Sequence, residues 1–215
     1  MQKLKGLLKA AHFGPTLIVT AISFGFGTYY WWEGPAYVIA FGVFTGQLVV
    51  GWSNDLYDFD DDLKHQRAKK PLVSGLITKQ YLQKWLRFMV PFSFVANLLG
   101  PLGIKGGSVY MLGIAFGVAY NFYFKFSILS PLPYAIAFAA LPSSVALSKD
   151  INPPMWMLLG GALFGMAAHF INVIKDMDQD QASGIKGLPQ RLGKVKSIAV
   201  AVVLIALGIA LLIVS

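Results

Sequence analysis

Cysteine is absent from the 215 residues. That excludes disulfides, thiolate nucleophiles, iron–sulfur clusters and cysteine-bound zinc. Charge is also scarce. Asp, Glu, Lys and Arg make up 13% of the chain, against roughly 25% in an ordinary soluble domain. Acids are the scarcest, ten against eighteen Lys and Arg, for a net charge of +8. In a soluble protein that excess would suggest nucleic acid. In a chain this poor in charge, the position of the positive residues carries more information than their total. No internal repeat and no low-complexity linker appears, so residues 1–215 read as one domain.

What the chain has instead is apolar residues, 56% of the total. A helix needs about 20 of them in succession to cross a bilayer core. Seven runs qualify: 13–32, 35–53, 85–104, 107–124, 131–148, 154–174 and 197–215. The first follows Lys3, Lys5 and Lys9, like the start of a signal peptide. It is long, however, ends in Tyr29-Tyr30-Trp31-Trp32 and lacks a small-residue cleavage site. It therefore reads as a retained helix with an interfacial aromatic belt. Prolines such as Pro91 and Pro101 sit in or beside the runs, where neighbouring helices can satisfy the freed backbone groups.

Seven spans put the N-terminus and segments 54–84, 125–130 and 175–196 on one side. With Arg87, that side holds 16 of the 18 Lys and Arg, leaving only Lys105 and Lys149 opposite. Such a bias marks the crowded side as cytoplasmic. The fold class is thus all-α, a polytopic transmembrane helical bundle.

Eight of the ten acids fall in two stretches, Asp55 to Asp62 and Asp176 to Asp180, on that same side. Asn54, Asp58 and Asp62 are spaced by four, and so are Asp176 and Asp180. On a continuing helix each set forms one stripe. His169 and Asn172 share the face of Asp176. Two such stripes could face each other across a cavity. Packed carboxylates repel one another and stay partly protonated without a cation. Magnesium suits them, binding one or two carboxylates per ion together with phosphate oxygens and water. Lys64, Arg67, Lys69 and Lys70 follow the first stripe, Lys125 ends the fourth run, and Lys175 adjoins the second stripe. Basic residues beside an acidic metal site point to an anionic ligand such as a diphosphate. Asp60, Asp61 and Asp178 lie off the stripes and read as solvated. A calcium loop is a poor fit, because its glycine and closing glutamate are missing at the required offsets. Intramembrane carboxylates also allow a cation transporter, which would place acids near the midplane rather than at helix ends.

These residues resemble the UbiA superfamily of intramembrane prenyltransferases. "NDLYDFDDD" (54–62) fits its Asn-Asp-x-x-Asp-x-x-x-Asp motif, and "RAKKPLVSG" (67–75) its basic segment. "KDMDQD" (175–180) contains the second Asp-x-x-x-Asp motif, and "GIKGLPQRLG" (184–193) is similar to the stretch that follows it. "YNFYFK" (120–125) resembles the basic end of the fourth helix. The resemblance covers roughly residues 10–196. It implies a helical bundle around a central cavity, capped by two cytoplasmic loops. There two magnesium ions would hold an isoprenyl diphosphate for transfer to an acceptor, often an aromatic ring or a lipid. By motif position, Asn54, Asp55, Asp58 and Asp62 would form the first metal site, and Asp176 and Asp180 the second. Asn54, Asp58, Asp176 and Asp180 are the residues expected to carry catalysis. Arg67, Lys70, Lys125 and Lys175 would contact diphosphate. Tyr120, Phe122 and Tyr123 are candidates to face a developing cation.

The resemblance implies nine helices, and this sequence ends with the seventh. The expectation is a truncated or short form, its open side sealed by lipid or a helper subunit. A non-catalytic prenyl-lipid binder is the alternative that this departure raises. A prokaryotic plasma membrane is the expected location, with the N-terminus and both acidic segments cytoplasmic. A soluble prenyl synthase fails on the number of span-length runs.

Overall fold

The computed structural model describes residues 2–215. Every regular element among them is helical. α1 (Gln2–Ala10) meets α2 (Phe13–Tyr30) at a 70° bend. His12 forms the elbow in the left-handed region, with φ 49°. α3 (Glu33–Lys64) runs 32 residues without a break. At 1.5 Å per residue it is about 48 Å long, well beyond a hydrocarbon core of about 30 Å. Its last turns, which carry 54–62, therefore continue past the apolar run as helix. α4 (Lys79–Leu99) starts where Thr78 Oγ1 accepts the Tyr81 N–H at 3.2 Å, an N-cap. α5 (Gly103–Phe122) ends in a 3₁₀ turn (Phe124–Phe126) that holds Lys125. α6 (Leu132–Leu147) is followed by a π-helical turn (Trp156–Gly160) that runs into α7 (Gly161–Ala182). α8 (Leu188–Val214) is kinked at Gly193, whose φ of 79° suits glycine.

From α2 to α8 each helix packs on the next, and α3 also packs on α5. Buried polar bonds fix α3 at the centre. Asn97 Nδ2 of α4 donates to Gly42 O at 3.0 Å, and Tyr110 Oη of α5 donates to Val43 O at 2.8 Å. Nearer the acids, Asn121 Nδ2 donates to Val50 O at 3.2 Å and Ser53 Oγ at 3.1 Å. α1 crosses the same end of α3, where Trp52 Nε1 donates to Leu7 O at 2.9 Å.

The opposite end has its own contacts. Lys105 pairs with Asp150 at 2.5 Å, Lys149 lies 4.1 Å from the Trp31 ring, and Trp31 Nε1 donates to Ser148 Oγ at 2.9 Å. The charge segregation read from the sequence is thus a segregation between the two ends of the bundle.

Each of the seven apolar runs folds as a helix, but they are not equal as spans. α3, the stretch Trp156–Ala182 and α8 are long and apolar enough to cross a membrane, and the bent α1–α2 pair makes a fourth if taken as one span. α6 has 16 residues, about 24 Å of helix. α4 carries Lys84 and Arg87 inside its first turns, and α5 is broken up by glycines and Lys105. Both acidic motifs lie on the last turns of helices, α3 and α7, as their four-residue spacing predicts.

Gly51 of α3 packs against the elbow between α1 and α2. A Cβ there would lie 2.8 Å from the Ala11 backbone, whereas one at Gly14 would meet nothing within 4 Å. Gly51→Ala should lower the thermal midpoint in detergent, at a cost of about 1–3 kcal/mol from overpacking. Gly14→Ala should leave the midpoint unchanged or raise it.

Candidate active site

The acids of α3 are held by a ring of basic side chains. Asp55 and Asp62 are each only 2% exposed. Lys70 lies 2.7 Å from Asp55 and 3.7 Å from Asp62. Arg67 lies 2.6 Å from Asp62 and 3.4 Å from Asp61. One turn along the stripe, Asp58 pairs with the buried Lys125 and accepts from Asn54 Nδ2 at 3.1 Å. The Lys125 ammonium also sits 4.9 Å from the Tyr57 ring centre and 5.3 Å from that of Phe126, two cation–π contacts.

The local chain explains these placements. After α3 ends at Lys64, the Arg67 N–H bonds back to Asp62 O at 3.0 Å and the Lys70 N–H to Arg67 O at 2.9 Å. The basic segment is thereby folded over the acids it follows. Burial alone would lower the Arg67 pKa, but its hydrogen bond to Asp62 and the charges of Asp62, Asp61 and Asp58 leave it raised. Burial likewise pulls Lys70 down, and Asp55, Asp62 and Asp58 leave it raised. Both side chains are cationic at neutral pH.

The second stripe approaches the first. Arg67 spans the gap, its other guanidinium nitrogen donating to Ser183 Oγ at the end of α7 at 2.6 Å. Arg67 and Lys125 act electrostatically on Asp180, and Asp180 and Asp58 both act on Tyr120. Asp180 Oδ2 accepts from Gln190 Nε2 at 2.8 Å. Below the acids, Tyr120, Tyr134 and His169 pack ring to ring, with centroids 4.8–5.5 Å apart, where the sequence predicts a central cavity. An apolar cleft of about 570 Å³ lies to one side, between α3, α4 and α5, with Val49, Val90, Met111 and Phe122 in its wall.

Asn54, Asp55, Asp58, Asp62, Arg67, Lys70, Lys125 and Asp180 are therefore brought to one end of the bundle. Asp176 and Lys175 are exposed; Lys175 makes none of these contacts, and Asp176 acts on Asp180 through its charge alone. Asp60 and Asp178 are exposed as expected, at 85% and 82% of their side chains. Asp61 is not solvated company, since it touches Arg67 and His65. Three further residues complete the site, and only Gln190 lies in a segment that the sequence singles out, 184–193. His12 Nε2 lies 3.5 Å from Asp55, Ser183 holds Arg67, and Gln190 holds Asp180. The helical stripe gives no hint of any of them, because each comes from another element.

The sequence comparison decides the family. The model of the UbiA prenyltransferase family matches residues 12–215. The chain belongs to the UbiA prenyltransferase family. It is an enzyme of the UbiA type that transfers prenyl groups, in a membrane-embedded family. Solved UbiA structures share the fold. A UbiA homologue from Archaeoglobus fulgidus bound to GPP and Mg2+ superposes with a TM-score of 0.79 at 17% identity, over 96% of this chain and 76% of that one. The same homologue bound to DMAPP and Mg2+ gives 0.78 at 17% identity, over the same 96% and 76%. A structure of digeranylgeranylglyceryl phosphate synthase in membranes gives 0.69 at 20% identity, over 98% of this chain and 76% of that one. No curated protein sequence matches the chain.

The donor set fits a hard divalent cation in chemistry. It consists of carboxylate oxygens and one amide, and Asp55 Oδ2 is buried without a hydrogen-bond partner. The side chains are not gathered around such an ion. Among the described residues, no three acids or histidines lie close enough together to hold a metal. Each buried acid is turned instead to its own Lys or Arg.

Removing Lys70 tests that pairing. Lys70→Met would leave Asp55 buried without its main cation. Breaking a buried pair costs about 3–5 kcal/mol. Lys70 is a quarter exposed, so the loss should fall at or below about 3 kcal/mol once solvent screening is counted. Denaturant unfolding in detergent should show this loss, and Lys70→Met/Asp55→Leu should recover most of it.

Proposed function

We propose that this prenyltransferase binds the diphosphate of an isoprenyl donor at the common end of α3 and α7 and transfers the prenyl group to a lipid or aromatic acceptor. The observation that carries the reading is the cluster itself. Asp55, Asp58 and Asp62 face Lys70, Lys125 and Arg67, with Asp180 within electrostatic reach of the last two. Acids and bases interleaved in this way suit a ligand that is itself anionic and carries cations with it.

Asn54, Asp55, Asp58 and Asp62 would hold one magnesium ion, and Asp180 with Asp176 a second. Magnesium bound there supplies positive charge to the diphosphate oxygens as the C–O bond breaks. Arg67, Lys70 and Lys125 exchange their carboxylate partners for diphosphate oxygens and stabilise the same leaving charge. Lys175, exposed in this structure, joins them only if its side chain turns inward. Breaking the C–O bond leaves an allylic cation on the prenyl group. The half-buried rings of Tyr120 and Tyr134 present faces that stabilise a cation, and the apolar walls exclude water that would quench it. The acceptor then attacks the allylic carbon, forming the new bond and losing a proton.

The excess of Lys and Arg at this end supports a cytoplasmic orientation, and a prokaryotic plasma membrane is the location proposed. A cation transporter is disfavoured, because the buried acids sit at helix ends beside basic partners rather than along a path through the spans.

Purified protein in detergent, given geranylgeranyl diphosphate, magnesium and candidate lipid or phenolic acceptors, should release diphosphate and form a prenylated product. Asp58→Ala and Asp180→Ala should each reduce kcat by about 100-fold or more, as expected for loss of charge stabilisation at the reacting group. A parent that consumes no donor with any acceptor, and variants indistinguishable from it, would sink the reading.

A further inference from the structure

The segment "GIKGLPQRLG" has no role in the reaction as described, yet its 187–190 turn touches every element of the second half of the site. Gly187 has an ordinary φ of −63°, so its requirement is for space. A Cβ there would lie 2.7 Å from Gln190 Oε1, 2.9 Å from Ser130 Oγ and 3.0 Å from the Lys125 carbonyl oxygen. The next residue, Leu188, donates its N–H to Ser130 Oγ at 3.0 Å. Ser130 is 1% exposed and lies 3.0 Å from His169 Nε2 on α7. Having accepted the Leu188 amide, the hydroxyl has its own proton to donate to that nitrogen. Pro189 O accepts from Ser197 Oγ at 3.1 Å, which ties the turn to α8 beyond the kink. Gln190 is 8% exposed and donates to Asp180 Oδ2 at 2.8 Å.

We propose that the 187–190 turn is a clasp that fixes the Asp180 carboxylate and the Lys125 loop in one register. Gln190 is the positioning residue for Asp180, and Ser130 is the hub that joins the turn to α7 and to the loop bearing Lys125. α7 and the Lys125 loop are separate elements, and no helix carries both. A carboxylate on one and an ammonium on the other can serve a single diphosphate only if something sets their spacing. The clasp does so from outside the reacting groups. The inference rests on the reading that Asp180 and Lys125 serve the donor's diphosphate and its cation.

The test uses the full chain in detergent with Mn2+ as the probe and inorganic pyrophosphate present. Free Mn2+ is followed by electron paramagnetic resonance. Gln190→Leu keeps the volume and removes the donor to Asp180. It also removes Oε1, a buried acceptor without a partner, so folding should be preserved. The expected result is a rise of about 10- to 100-fold in the Mn2+ dissociation constant, the usual effect of removing a group that orients a metal ligand, with the thermal midpoint held. Ser130→Ala and Gly187→Ala should shift binding in the same direction. Parent-like Mn2+ binding by Gln190→Leu would overturn the clasp. A second measurement does not depend on the functional reading. In a thermal-unfolding cycle of Gln190→Leu with Asp180→Ala, the clasp requires non-additive effects, and strict additivity would overturn it. A parent that neither binds Mn2+ with pyrophosphate nor turns over substrate would sink the functional reading, and the cycle would still judge the clasp.

Discussion

Two nearly inaccessible carboxylates, Asp55 and Asp62, set the shape of this protein's working end. A buried carboxylate without a counter-charge costs several kcal/mol or gives up its charge. The chain meets that constraint by folding residues 65–78 back over the end of α3, so that Arg67 and Lys70 reach the acids they follow. Lys125 turns in from the end of α5 to meet Asp58, and Arg67 reaches on to Ser183 beyond α7. Each contact pulls a further element towards the same point. The polar bonds of Asn121 to α3 and the packing of the α1–α2 elbow on Gly51 hold that point in place.

Such an arrangement is a poor way to gain stability. Well-packed apolar residues of similar volume commonly do as well as a buried ion pair, or better. Its value is electrostatic. On the proposed reading, the basic residues already stand at the place where negative charge would be received, and a diphosphate would take over the positions of their carboxylate partners.

Much of this was legible in the sequence, because its signals are local. The four-residue spacing of Asn54, Asp58 and Asp62 reads directly as a helical stripe, and the apolar runs read directly as helices. The basic segment 67–70 follows the acids closely enough that its folding back is nearly forced. Other features depend on which elements meet, and spacing does not encode that. His12 reaches Asp55 only because α1 and α2 bend at that residue. Gln190 and Ser183 reach the site only because the chain turns sharply after α7. Asp61, off the stripe by periodicity, is drawn in by the length of the Arg67 side chain. The continuation of α3 to Lys64 also ran beyond what hydropathy could show, since polar residues end an apolar run without ending a helix. Lys175 shows the converse. It is adjacent in sequence to Asp176, and both side chains are exposed on α7, outside the ring of contacts.

The central claim is that acids from α3 and α7 serve one diphosphate together. The most direct measurement is the ³¹P hyperfine coupling of Mn2+ bound to the chain with a non-reactive thiolo analogue of an isoprenyl diphosphate. The account requires a resolved coupling in the parent that is lost in Asp58→Asn on α3 and equally in Asp180→Asn on α7. A coupling that survives either substitution unchanged would contradict it.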